Sequence, residues 1–366
     1  MFLTILAFIL IIGFLVLVHE FGHFIVAKKM GMKVEEFGLG FPPTIYKKRI
    51  NGTKYCLNLI PLGGYVKIKG EDYAIEDEED SFSAKPIWKR ALVVIAGVIM
   101  NIIAGWLIFI ILFSVSAPVE IDESIQEKYI LSQKITITEI IVDSPAEKQG
   151  LKPGDEIVSI QGKEINTIDE FQDIIASAES EINIDFIRSK ESKTISISPE
   201  IIKDISEDRK VIGVALSKIG TVRYPIHKAI VAGSQAAYGY TTRIASAFFG
   251  IVKGAFFGKG LQGVGGPVAI AVITNDMINL GFIRVLIFTA ILSFNLAILN
   301  IFPFPALDGG RLIFLAVEAI RGKPSKKEVE EWFHRIGFIL FMLLAIFITY
   351  RDIARFGGRI WQSLIG

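Results

Sequence analysis

Long apolar runs alternate along the chain with polar segments, and the length of each run decides what it can form. From Met1 to Ala27 the only charged side chain is Glu20, and from Ala91 to Val119 and from Val285 to Leu307 there is none. A fourth run, Ile336 to Tyr350, is shorter and is extended by Trp332 and Phe333 ahead of it. A helix needs about 20 apolar residues to cross roughly 30 Å of hydrocarbon, so the pattern predicts about four transmembrane helices. The first lacks the basic n-region and small-residue cleavage site of a secretory signal and is expected to remain as a span.

Between 118 and 222 the period changes. Ile135-Thr136-Ile137-Thr138 alternates apolar and polar, as a half-buried strand does. Ser144-Pro145-Ala146-Glu147 carries a cap, a proline at the first helical position and a capping-box glutamate, with Gly150 as the stop. Strand Glu156–Ile160 follows the turn Pro153-Gly154-Asp155, and Thr167-Ile168-Asp169-Glu170 opens a second helix running to about Ala178. Ile182–Arg188 and Lys193–Ser198 read as two further strands. Strands with two short helices in about 100 residues predict a small, partly open β-barrel. Beyond it, Lys228–Val252 is amphipathic with Arg243 inside it, and the glycine-rich stretch Gly254–Gly266 is read as a loop. The segment 228–283 is therefore taken as an interfacial helix and a re-entrant or surface loop.

Composition agrees with a membrane protein: 51% of residues are hydrophobic, 21% are charged, and the mean hydropathy is +0.50. A net charge of +1 argues against a nucleic-acid partner, and one cysteine, Cys56, excludes disulfides and multi-cysteine metal clusters. Residues 28–90 carry twelve lysines and arginines and 308–335 carry six, against none before the first span and three in the C-terminal tail. By the positive-inside bias both termini are expected outside, with the inserted domain extracytoplasmic.

The chemistry sits inside the first span. His19-Glu20-Phe21-Gly22-His23 is HExxH, which on a helix projects both imidazoles from one face toward one metal, with Glu20 beside them to hold a metal-bound water. A carboxylate in an apolar span is costly and usually functional. Catalytic zinc takes three protein ligands and leaves a position for water. After His23 no histidine occurs until His227, and the favoured third ligand is Asp308, which follows Asn300-Ile301-Phe302-Pro303-Phe304-Pro305-Ala306-Leu307. Two prolines break the helix there, and Gly309-Gly310 allow tight turns. His227 and His334 stand alone and are read as surface or packing residues. Cys56 reads as a small apolar strand residue.

HEFGH in the first span, PLGGYVK at 61–67, an insert centred on SPAEKQGLKPGDEIVSIQGKEI and NIFPFPALDGG together resemble the site-2 protease family of intramembrane zinc metalloproteases. Within that family the chain is most similar to the bacterial regulator-of-sigma-E protease group, and the insert resembles a PDZ domain. The resemblance covers nearly the whole chain. It implies a polytopic α-helical membrane protein with a membrane re-entrant β-loop and an inserted PDZ-like α+β domain. Its parts are 1–117 with the first two spans, 118–222 as the PDZ-like domain and 223–366 with the last two spans. It implies one zinc per chain on His19, His23 and Asp308, and Glu20 as general base. Gly63, Gly64, Tyr65, Val66 and Lys67 would belong to the β-loop, and Asn295 and Asn300 would contact substrate. The implied activity is cleavage of transmembrane segments of single-pass proteins, such as anti-sigma factors or remnant signal peptides. The setting would be the bacterial inner membrane, with the site near its cytoplasmic side and no small-molecule cofactor.

Two features depart from the family: Val98 stands where a proline often follows Gly97, and only one PDZ-like domain fits the insert where enterobacterial relatives carry two. Two other function classes fit the sequence less well. A catalytically silent scaffold binding peptide termini is opposed by the intact HExxH, and a metal transporter by the lack of internal repeats.

Overall fold

The computed structural model describes residues 2–71, 78–121, 125–141, 143–188, 191–202, 209–257 and 265–365. The chain begins with helix α1 (Phe2–Lys29), strands β1 (Val34–Ile50) and β2 (Thr53–Ile68), and helix α2 (Ile87–Val115). Then come β3 (Ala117–Glu120), β4 (Ile130–Ile140), α3 (Pro145–Lys148), β5 (Glu156–Ile160), β6 (Lys163–Glu164) and α4 (Ile168–Ser177). Strands β7 (Ile182–Arg188), β8 (Glu191–Ile197) and β9 (Val214–Val222) precede α5 (Ile226–Phe256) and α6 (Pro267–Leu280). Helices α7 (Phe282–Ile301), α8 (Asp308–Arg321) and α9 (Lys327–Ile365) complete the described chain. Contacts divide it into two compact units, 1–110 with 231–366, and 111–230.

In the first unit α1, α2, α7 and residues 327–358 of α9 are each long and apolar enough to cross a membrane, as the four apolar runs predict. Their outward faces carry bare apolar side chains, among them Leu10, Phe14, Leu343 and Ile346. In water that would be an unfavourable surface; against lipid tails it costs nothing. The segment 228–283 is more helical than its glycines suggest. Helix α5 runs unbroken past Gly254 to Phe256, and α6 starts at Pro267; residues 258–264 of the expected loop lie outside the described residues. Upstream of that extension α5 packs through aromatic rings: Tyr240 stacks on Phe109 of α2, and Phe248 meets Phe302.

Helix α2 is the internal reference of this unit. Its positions 93, 97, 101, 105 and 109 recur every four residues and so form one ridge. Along that ridge Gly105 faces the ring of Phe294 on α7, Phe109 stacks on the same ring, and Ser293 Oγ donates to the Asn101 carbonyl at 2.7 Å. Helix α1 meets α2 at Gly22, where a methyl group would lie 2.4 Å from the Ala96 carbonyl oxygen. The two backbones are therefore in direct contact.

Strands β1 and β2 are both bent, and their register makes four strand segments from two. The first half of β1 pairs on both sides: Phe37 faces Val66 and Tyr55, and Gly38 faces Tyr65 and Cys56. The second half of β1 pairs back on β2, with Tyr46 opposite Leu57 and Lys48 opposite Tyr55. The bend falls at Gly40, whose φ of +80° suits glycine and whose Cα approaches the Ile60 carbonyl too closely for a side chain. Segment 64–68 is thus an outer strand, and no other described strand pairs with its free edge.

The second unit is one seven-stranded sheet, in the order β3-β9-β4-β5-β7-β8 with β6 beside β5. Its core gathers Ile137, Ile160, Phe171, Ile184, Phe186 and Ile197. Both N-cap bonds form, Glu147 N–H to Ser144 Oγ and Glu170 N–H to Thr167 Oγ1, while the two carboxylates accept from the N–H one residue before each cap, at Asp143 and Asn166. The strands expected at Glu156–Ile160 and Ile182–Arg188 are present with those bounds. The unit's limits, 111–230, exceed the expected 118–222 by a few residues at each end.

The α1–α2 contact makes a specific demand. Gly22→Ala should destabilise the detergent-purified protein by about 1–3 kcal/mol, because backbone and not a flexible side chain must yield. A thermal unfolding midpoint equal to wild type would contradict the close crossing.

Candidate metal centre

One helical turn of α1 places His19 and His23 on the same side, their rings edge to face with centroids 4.7 Å apart. The third group arrives from α8. Helix α7 stops at Ile301, and the chain turns through Ala306, a non-glycine residue with φ +71°, so that Asp308 opens α8. Three atoms converge: His19 Nε2 and His23 Nε2 are 3.2 Å apart, and Asp308 Oδ2 is 3.1 Å from the first and 3.5 Å from the second.

These atoms do not satisfy one another. His23 Nδ1 lies 2.8 Å from the Val93 carbonyl oxygen, which can only accept, so the ring's proton is on Nδ1 and Nε2 presents a lone pair. Asp308 Oδ2 is buried and, despite its nearness to both rings, has no hydrogen-bond partner among the described residues. Lone pairs on nitrogen and a carboxylate oxygen, packed this closely, suit a cation between them. Zinc fits: bonds of about 2.0–2.1 Å at tetrahedral angles set ligand atoms roughly 3.3–3.4 Å apart, and the three observed distances bracket that value. Among the described residues no other group of three histidine, cysteine, aspartate or glutamate side chains comes together in this way. Cys56 is buried in the β-sheet and takes no part.

Around the triangle lies a cavity of 640 Å³ walled by His19, Glu20, His23 and Asp308, by Tyr65–Ile68 of β2, and by Arg311 and His334. Glu20 stands beneath the strand: a side chain at Gly64 would begin 3.4 Å from Glu20 Cγ. Gly63, with φ +107°, turns the strand at the ring of Phe41. Tyr65 Oη donates to Glu36 Oε2 at 3.3 Å, and the Lys54 ammonium bonded to that carboxylate holds it below its ordinary pKa. Arg311 and Glu71 form an ion pair at the cavity wall.

The asparagines expected at the site differ. Asn300 Nδ2 lies 3.3 Å from His19 Nε2 and 3.5 Å from Nδ1, beside the ring edge between the two nitrogens. Asn295 donates to the Ile291 carbonyl of its own helix at 2.9 Å, and neither asparagine is among the residues that wall the cavity.

Three contributors escape the sequence reading. Gly97 leaves room for both imidazoles, since a methyl there would sit 2.4 Å from His23 Nε2 and 2.6 Å from His19 Cε1. The Val93 carbonyl fixes the His23 ring. His334, read from the sequence as a lone surface or packing residue, instead has a defined partner: its Nδ1 accepts the Ala306 N–H at 3.0 Å and so braces the turn that delivers Asp308. The missing proline after Gly97 leaves α2 continuous through Val98.

Comparison with known proteins bears on the whole chain. The signature of peptidase family M50 matches residues 7–344. The zinc metalloprotease RasP of Oceanobacillus iheyensis is 31% identical, over 96% of this chain and 99% of its own length. The regulator of sigma-W protease RasP of Bacillus subtilis is 29% identical, over 96% of this chain and 98% of its own. A solved PDZ domain, that of the SdrC-like protein of Listeria monocytogenes, aligns with 23% of this chain and 86% of its own at 24% identity and a TM-score of 0.21. With its family signature, its full-length relatives and a triangle of two histidines and one aspartate, the chain belongs to peptidase family M50, the site-2 proteases, and is an intramembrane zinc metalloprotease.

Proposed function

We propose that His19, His23 and Asp308 hold the zinc, that Glu20 is the general base, and that the substrate is the unwound transmembrane segment of a single-pass protein. The observation that carries this reading is the convergence of the three candidate ligand atoms beside Glu20, in a cavity walled by a strand edge that is unpaired among the described residues. Zinc in such a site supplies a Lewis acid that polarises a carbonyl and brings the pKa of a water to about 7. Glu20 takes the water proton and returns it to the leaving amine. The Val93 carbonyl and Gly97 hold the His23 ring still meanwhile.

The substrate poses a separate problem. Every backbone carbonyl of a membrane helix is bonded within the helix, and an exposed amide in hydrocarbon costs several kcal/mol unless it finds a partner. The outer edge of residues 64–68 supplies such partners by strand addition. Tyr65, Val66 and Lys67 are the positions that line the cavity there. Asn300, beside His19 and committed to neither ring nitrogen, can donate to or accept from a substrate backbone. Asn295, whose amide nitrogen bonds to its own helix, is assigned the same role through its amide oxygen. The lysine and arginine distribution supports both termini outside and a site near the cytoplasmic face of a bacterial inner membrane. The inserted domain, 118–222, is read as PDZ-like and extracytoplasmic. The relative named for regulating sigma-W supports an anti-sigma factor as one class of substrate.

Incubating the purified protein with a panel of single-pass membrane peptides tests the assignment of roles. Glu20→Gln should retain zinc and lose cleavage by about 10²–10⁴-fold. Turnover near wild type would remove Glu20 from the chemistry.

Asn300→Ala, and proline at Val66 or Ile68, should each slow cleavage with zinc content unchanged. Full activity in all three would reject the strand-edge clamp.

A further inference from the structure

Helix α2 holds the two metal-site rings by groups two turns apart. His23 Nδ1 meets the Val93 carbonyl, and His19 Nδ1 meets the side-chain amide of Asn101 at 3.3 Å. Gly97, midway between them, is the position at which both rings touch the helix. Asn101 is fully buried. As placed, its Nδ2 faces the imidazole while its Oδ1 has no hydrogen-bond partner among the described residues.

That orientation conflicts with the rest of the site. His19 points Nε2 at Asp308 Oδ2 and at the His23 ring, so Nε2 is its ligating atom and the proton must sit on Nδ1. An amide NH₂ facing a protonated Nδ1 is donor against donor. The alternative, a proton on Nε2, would aim that proton into the triangle and close it to a metal. The two ends of an asparagine amide have nearly the same shape, and a half-turn about the last side-chain bond exchanges them without disturbing packing. After the exchange Oδ1 accepts the Nδ1–H of His19, as the Val93 carbonyl does for His23.

Asn300 is no substitute. It stands within 3.5 Å of both His19 nitrogens and so lies along the direction of neither, whereas a good hydrogen bond needs the donor hydrogen close to the line between the atoms. We propose that Asn101 is a positioning residue whose amide oxygen fixes the tautomer and orientation of His19, making α2 the shared outer support of both zinc histidines. This rests on the ligand set proposed above.

Zinc affinity, measured by chelator competition on the full-length protein in detergent, tests it without reference to activity. Asn101→Leu, similar in size and unable to accept, should weaken zinc binding by about 10–100-fold, the usual effect of removing such a partner. Asn101→Asp, which keeps an acceptor at the same place, should stay within a few-fold of wild type, and Asn300→Ala should leave the affinity unchanged. If Asn101→Leu fails to fold, Asn101→Ala is read in the same way. Wild-type affinity in the Leu or Ala variant would overturn the proposal. So would equal losses in the folded Asp and Leu variants, which would mean that packing or the NH₂ group matters and not the oxygen. An Asp308→Ala control separates the two levels of the argument. If it retains full zinc affinity, the ligand set is wrong; if it loses zinc while Asn101→Leu does not, only the role of Asn101 falls.

Discussion

The structure depends on how closely two helices approach. Where α1 crosses α2, Gly22 puts the α1 backbone against the Ala96 carbonyl, and Gly97 puts the α2 backbone against the two imidazoles of α1. Glycine on both sides removes the layer of side chains that normally separates helices by 8–10 Å. In a lipid setting this is also how helices gain contact, because burying apolar side chains against one another brings no advantage over burying them in lipid tails. The crossing brings a main-chain carbonyl, Val93 O, within 2.8 Å of a ring nitrogen. Rings held by a helix backbone and a buried amide have little freedom left, which is what a ligand set must have before the metal arrives.

From that fixed pair the remaining parts follow by two breaks in regular structure. Helix α7 ends at Ile301, and a turn through the strained Ala306 carries Asp308 to the histidines, with His334 of α9 accepting the Ala306 N–H. The bend at Gly40 lets one strand of the hairpin pair on both sides, which leaves 64–68 as an outer strand over Glu20. The triangle of two imidazoles and a carboxylate and a strand edge that is unpaired among the described residues therefore line the same cavity. The first suits the hydrolysis of an amide, and the second suits a chain that must be extended to be cut.

Much of this was legible in the sequence, and the limit is physical. HExxH fixes two rings on one face because the helical repeat is local, and Asp308 could be chosen because two prolines and two glycines announce a break. The helix caps at Ser144 and Thr167 are equally local, and both N-cap bonds are present. By contrast, the double pairing of β1 and the roles of Val93, Gly97 and His334 depend on the register between elements far apart in sequence. A backbone carbonyl carries no residue signature, so Val93 could not be found from its side chain. The run of α5 past Gly254 to Phe256 likewise departs from the weak helix preference of glycine.

The central claim, a single zinc on two imidazoles and one carboxylate, is tested most directly by zinc K-edge X-ray absorption on the detergent-purified wild type. The account predicts one zinc per chain with a shell of nitrogen and oxygen at about 2.0–2.1 Å, including the multiple-scattering signature of two imidazoles. A sulfur neighbour at about 2.3 Å, or a shell with fewer than two imidazoles, would contradict it.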